Sequence, residues 1–313
     1  MSLVRFARQR GDILKPYGQL DVLLLYAIVA DKIGPYLEGR EIASRIWLPG
    51  KGGGRPYIIK RGSKDEPLYA KELADAVTPE FLETRAEEEK LSRAEADLTP
   101  VQRTVWRYFV PRKLINFFYA TNTEAPSGRI DRIFLDLDRG QDVTAAEAHA
   151  ATNLLLELIR SDAELMDLTG GKWPFTYWTG NSFHVILLLK DAQPHSFYDA
   201  NFRYGTGNPE GSFTGRWAKQ INKSVDFEVA GGHEKKKSRL IIDPSQTPPG
   251  KLCRVPLGSI HVRDPETIDG FSIPVTNRML KRKNLTETLV NLQATDLLSE
   301  LNKLAARVPE PVS

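Results

Sequence analysis

Cysteine is almost absent: Cys253 is the single one in 313 residues. That excludes an internal disulfide and any cysteine-rich zinc site, and leaves oxygen and imidazole as the ligands for a metal. Long apolar runs are missing too. The longest, Val22-Leu-Leu-Leu-Tyr-Ala-Ile-Val-Ala30, has nine residues, against about 20 needed to cross a bilayer. The N-terminus, Met1-Ser-Leu-Val-Arg-Phe-Ala-Arg-Gln-Arg10, is basic but has no apolar signal core, so secretion is not expected. No internal repeat or low-complexity tract is visible. The expectation is a cytoplasmic protein without a membrane partner.

The net charge of +3 is small, yet it conceals a segregation. Residues 64–98 hold 11 acidic and 5 basic side chains, and residues 203–263 hold 11 basic and 5 acidic. Opposed halves of this kind suit a nucleic-acid binder with an acidic appendage, and they also suit a well-solvated surface with no partner.

Apolar spacing predicts a buried helix over residues 16–37 and a hairpin of two short strands, 40–48 and 56–61, around Gly50-Lys-Gly-Gly-Gly54. Residues 66–109 read as a charged helical lobe inserted in the core, with Pro79 and Pro100 as punctuation. Arg132-Ile-Phe-Leu-Asp-Leu-Asp138 reads as a strand. Thr144 and Glu147 make a capping box for a helix running to about Asp167, where Gly170-Gly171 stops it. Strands at 175–178 and 182–189 flank a Thr179-Gly-Asn181 turn. A helix at 215–223, a strand at 224–229, and last strands at 253–262 and 271–275 follow. The fold class is α+β. Its order of strand, helix, strand, strand, helix, strand matches a ferredoxin-like module over 131–275. Residues 276–313 read as a basic-leaning helical tail with a proline-bearing end.

Asp136 and Asp138 carry the first chemical signal. A period of two puts both carboxylates on one strand face and turns Leu135 and Leu137 to the core. Paired carboxylates repel, and a hard divalent cation such as Mg²⁺ relieves them. Two acids at a solvated strand end, or the metal–nucleotide pair of a glycosyltransferase, would look the same. In Trp178-Thr-Gly-Asn-Ser-Phe-His184, the residues Asn181, Ser182 and His184 follow a tight turn. There hydroxyl, imidazole and turn amides can converge on an anion. Asp226, in Ser224-Val-Asp-Phe-Glu-Val229, offers a third carboxylate, with Glu228 as its rival on the same face. Arg254, Ser259 and His261 in Lys251-Leu-Cys-Arg-Val-Pro-Leu-Gly-Ser-Ile-His261 suit phosphate oxygens. Lys235, Lys236, Lys237, Arg239 and Lys251 form a basic stretch for a nucleic-acid strand.

These segments, in this order, resemble the archaeo-eukaryotic primase superfamily. Its hydrophobic Asp-x-Asp motif is similar to Ile133-Phe-Leu-Asp-Leu-Asp138. Its small-x-His motif after a Ser/Thr-Gly turn is similar to Thr179-Gly-Asn-Ser-Phe-His184, and its hydrophobic-Asp motif to Val225-Asp226. The downstream basic-x-Pro…Ser-x-His segment resembles Arg254-Val-Pro-Leu-Gly-Ser-Ile-His261. Arg40-Glu41, followed by Ile58-Ile-Lys-Arg61, resembles the N-terminal Arg-Glu hairpin, which brings in Arg40 and Arg61. The likeness spans about residues 16–275. Arg254 and His261 stand seven apart where the family has six, residues 231–250 look inserted, and the zinc cysteines of cellular primase subunits are absent.

The resemblance implies a primase-polymerase catalytic core over 1–275, with an N-terminal α/β module packed on the ferredoxin-like module. Residues 276–313 would then be a linker to a further domain. It implies a DNA primase or primase-polymerase, a plasmid-like or minimal member given the absent zinc cysteines, that makes primers from nucleoside triphosphates on single-stranded DNA. Asp136, Asp138 and Asp226 would hold two Mg²⁺ or Mn²⁺ ions and no zinc. Ser182, His184, Arg254 and His261 would meet the incoming triphosphate. A helicase, fused or separate, or a second primase subunit is the implied partner. A non-catalytic single-stranded-DNA-binding initiation protein on the same fold is the alternative.

Overall fold

A computed structural model describes residues 19–48, 54–59, 67–88, 90–109, 114–125, 128–205 and 207–310. The chain divides into two compact units. One comprises residues 1–119, 254–273 and 291–308; the other comprises 120–253, 274–290 and 309–313.

In the first unit, the predicted buried helix spans Gln19–Lys32, and every residue from Val22 to Ala30 is buried. This explains the longest apolar run: the helix is covered on all sides rather than amphipathic. The predicted hairpin is present as β1 (Glu41–Leu48) and β2 (Arg55–Ile59), paired antiparallel with Arg45 opposite Ile58. Next come β3 (Leu68–Tyr69), which pairs with β1, and helices Ala70–Ala76, Pro79–Glu87, Leu91–Ala94 and Pro100–Tyr108. The charged lobe is therefore helical, as its composition indicates, but begins by extending the sheet. Its Leu73, Phe81, Leu82 and Phe109 are buried. β4 (Ile115–Ala120) lies antiparallel on the other side of β1.

The second unit is built on β5 (Ile130–Arg139), β6 (Phe175–Trp178), β7 (Phe183–Gln193), β8 (Glu228–Gly231) and β9 (Arg239–Asp243). The later strands are β10 (Leu252–Arg254), β11 (Ile260–Val262), β12 (Ile268–Phe271) and β13 (Ile273–Val275). The six-stranded sheet runs β13-β6-β7-β5-β9-β8, the other large sheet runs β10-β4-β1-β2, and β11 pairs with β12.

The capping box forms as predicted: Thr144 accepts from the Glu147 amide, and Glu147 accepts from the Thr144 amide. The helix it opens, Ala145–Ser161, ends earlier than expected. Asp162 caps a separate short helix, Ala163–Leu168. The long helix packs on β5 and β7, with His149 stacked on Phe183, the cross-strand partner of Leu137. Burying Leu135 and Leu137 completely on that face contributes about 1.5–3 kcal/mol each. The opposite face of β5 carries Arg132, Phe134, Asp136 and Asp138.

Two expectations fail here. The segment 224–229 is mostly turn, and only Glu228 onward is strand. Asn222 accounts for this, because its side chain bonds both the amide and the carbonyl of Val229 and closes the chain into a loop. The supposed insertion at 231–250 supplies β9, which lies between β8 and β5. The tail differs as well. Instead of one helix it forms four short ones, Asn277–Leu280, Leu285–Val290, Ala294–Ser299 and Leu301–Ala305.

Candidate active site

Four side chains form a row across the second unit's sheet. Tyr177 on β6 is the register partner of His184 on β7, His184 of Asp136 on β5, and Asp136 of Asp243 on β9. Cross-strand partners project from the same face, so the pairing alone aligns them. The Tyr177 hydroxyl lies 2.7 Å from His184 Nδ1, and His184 Nε2 lies 3.1 Å from Asp136 Oδ1. An ionised carboxylate can only accept, so Nε2 carries a hydrogen, while Nδ1 is paired with the Tyr177 hydroxyl. Phe134 packs edge-on against the imidazole at 4.7 Å between ring centres. Asp138 sits one pleat further along β5, opposite Ile241.

The electrostatics of this face are dominated by negative charge. The Asp136 carboxylate, followed by burial, pushes Asp138 up to about 6, against the opposing pull of Lys235 and His184. Burial raises Asp243, and Asp136 adds to it, while the Ser245 amide holds Asp243 Oδ1 at 2.8 Å and works the other way. As the side chains lie, no three Asp, Glu, His or Cys groups among the described residues converge on one metal position. Asp136 instead faces His184, and Asp138 faces Lys235, whose Nζ is 2.7 Å from Oδ2.

Asp226, predicted as the third carboxylate, does not join the row. It is exposed in the turn before β8, and β9 separates that edge strand from β5. Its rival Glu228 is turned to Arg239 in an ion pair. The third carboxylate on the face is Asp243. Its signal was in the sequence: Arg239-Leu-Ile-Ile-Asp243 is an apolar run closing on an acid, the same pattern that marks Ile133 to Asp138.

The Thr179–Ser182 turn is built mainly from its own polar groups. Gly180, at φ 96°, takes a conformation that a side chain would resist. Thr179 Oγ1 accepts from the Ser182 amide at 3.0 Å, and the buried Ser182 hydroxyl donates to the Leu137 carbonyl. Arg139 clasps Asn181, its Nε 2.8 Å from the carbonyl and its Nη2 2.5 Å from Oδ1. Ser182 and Asn181 thus tie the turn to β5, and His184 is the member of this motif that reaches the carboxylates. Of the basic stretch, Lys236, Lys237 and Lys251 are exposed.

Arg254, Ser259 and His261 belong to the first unit and form a cluster of their own. Arg254 is buried, lies 5.2 Å over the Phe118 ring and donates to the Ile260 carbonyl at 2.5 Å. Ser259 Oγ donates to the Phe117 carbonyl at 2.9 Å. His261 Nδ1 is 2.9 Å from Asp269 Oδ2; burial lowers its pKa, Asp269 opposes that, and Arg254 and Arg45 add to the lowering. Arg45, which motif reading passed over, lies 5.3 Å over the same Phe118 ring, with its Nε 3.0 Å from Asn116 Oδ1. Arg40 stands just before β1, half-buried, and Arg61 lies outside the described residues.

The mixed α+β architecture is one the chain shares with solved structures at the level of fold. Three solved chains match it. One is the polymerase domain of Mycobacterium tuberculosis Ligase D, in complex with DNA, matched over 94% of each chain with a TM-score of 0.53 and 16% identity. No family model and no curated protein matches the sequence. No helix among the described residues is long and apolar enough to cross a membrane.

Proposed function

We propose that the chain is a template-directed nucleotidyltransferase, a DNA primase or primase-polymerase, acting through Asp136, Asp138 and Asp243. The register row from Tyr177 to Asp243 carries this reading, because it gathers carboxylates and an imidazole from three neighbouring strands on one face. The antiparallel order β6-β7-β5-β9 supports the ferredoxin-like assignment, with β9 as its fourth strand.

The donor set fits Mg²⁺ or Mn²⁺: hard oxygens, with the Asp136 charge and burial raising Asp138, and burial, helped by Asp136, raising Asp243. When bound, such ions supply activation of the attacking 3′-hydroxyl and neutralise charge developing at the α-phosphorus. The protein's own contribution is placement. Tyr177 holds one ring nitrogen of His184 and so keeps the other directed at the carboxylate face, where its N–H stabilises phosphate charge. Arg45 and Arg254 give the first unit a pair of guanidinium groups suited to phosphate oxygens, with the His261 imidazole paired to Asp269 close by. Lys236, Lys237 and Lys251 serve the template strand electrostatically.

Incubation with single-stranded template, labelled nucleoside triphosphates and Mg²⁺ or Mn²⁺, without primer, tests the reading. Labelled oligomers are expected. Extension of an added primer alone narrows the activity to polymerase. Absence of both products with DNA binding retained replaces it with the non-catalytic initiation protein.

A further inference from the structure

The loop between β8 and β9 carries Lys235, Lys236 and Lys237, and its backbone is held against the end of β5. The Gly140 amide donates to the Arg239 carbonyl at 2.8 Å, and the Asp142 amide to the Lys237 carbonyl at 2.9 Å. Position 140 has no room for a side chain, because a Cβ there would collide with the Lys236 and Lys237 carbonyl oxygens. Glycine at 140 is what lets the lysine loop lie this close to the carboxylates. On this fixed backbone the Lys235 side chain behaves differently. It is 73% exposed, and its Nζ is 2.7 Å from Asp138 Oδ2. A long stem ending in one ion pair leaves by rotamer change, without moving the loop.

Asp136 and Asp138 share a strand face, and each faces an internal basic group, His184 for one and Lys235 for the other. A divalent cation held by Asp138 would share that carboxylate with this ammonium, and like charges so placed repel. We infer that Lys235 is a tethered counterion, which occupies Asp138 in the metal-free protein and is displaced when a divalent cation binds. The inference rests on the metal-dependent reading of the site. It changes the part expected of Lys235 from template contact to competition with metal. Binding a cation frees one ammonium at the edge of the carboxylate face.

The test is calorimetric titration of Mn²⁺ into the EDTA-stripped, full-length chain without nucleotide or DNA. Since the lysine head is exposed, the fold tolerates its replacement, which thermal melting verifies. Lys235→Ala is expected to tighten Mn²⁺ about two- to five-fold, the worth of a largely exposed ion pair. Lys235→Arg, which keeps the charge, stays near wild type. Lys236→Ala, which removes the same charge one residue away, shifts affinity less than Lys235→Ala. Equal or weaker Mn²⁺ binding by Lys235→Ala overturns the inference while leaving the metal site standing. So does tightening by Lys236→Ala to the same degree. Failure of wild type and variants alike to bind Mn²⁺ overturns both the inference and the metal-dependent reading.

Discussion

Replacing Asp138 by Asn should stabilise the metal-free protein while abolishing nucleotide incorporation. The Asp136 charge and burial together lift the Asp138 carboxyl from its ordinary 3.8 to about 6. A rise of that size corresponds to about 3 kcal/mol against the ionised form. The side chain keeps 33% of its surface in solvent, and screening brings the cost down to on the order of 1–2 kcal/mol. For a chain of this size that is a gain of about 2–6 °C in melting temperature. Because the folded state holds the proton more tightly than the unfolded chain, the cost is absent below about pH 4. It grows as pH rises toward 6 and is complete above it. Thermal melts in EDTA at pH 7.5, with urea midpoints at pH 4 and 7.5, provide the assay. The asparagine variant should be the more stable at pH 7.5 and indistinguishable from wild type at pH 4. Saturating Mn²⁺ should then raise the wild type more than the variant. A variant that melts at or below wild type at pH 7.5 refutes the claim that the carboxylates are in electrostatic conflict. A gain that persists at pH 4 refutes its assignment to charge.

Asp243→Ala is expected to lower primer extension by about three orders of magnitude, and Asp226→Ala to leave it within about two-fold. The reverse ranking would restore the turn residue and displace the strand residue. Tyr177→Phe removes the hydroxyl at His184 Nδ1, and the nucleotide KM should rise about three- to ten-fold with a smaller change in kcat. A lowered melting temperature with unaltered KM would make Tyr177 a packing residue alone. Leu137→Ala, beneath the carboxylate strand, should cost about 2–5 kcal/mol in urea unfolding. A loss under 1 kcal/mol would mean that the helix-covered face is not the core it looks to be.

How much of this was legible in the chain depends on the range of each signal. Short-range patterns read true. The Thr144–Glu147 capping box, the alternation of Leu135 and Leu137 with Asp136 and Asp138, and the turn before His184 are fixed by a few neighbouring residues. Asp226 lies off the row, and alternation over Ser224 to Val229 could not show it, because it says nothing about what lies beyond six residues. Asn222 closes a loop there, and β9 takes the place beside β5. Register across strands is a long-range property, and register is what puts Asp243, and not Asp226, beside Asp136.

The same limit explains the lysines. As a run of like charge, Lys235 to Lys237 read as a solvated basic stretch, since a charge run carries no information about what faces it. What distinguishes Lys235 is the close approach permitted by Gly140, 95 residues earlier in the chain. If that glycine sets the approach, Gly140→Ala should push the loop back and break the Lys235–Asp138 pair without touching either residue. Mn²⁺ affinity should then tighten as it does in Lys235→Ala, and adding Lys235→Ala to Gly140→Ala should give no further gain. Full additivity of the two substitutions would show that Gly140 matters to the turn and not to the lysine.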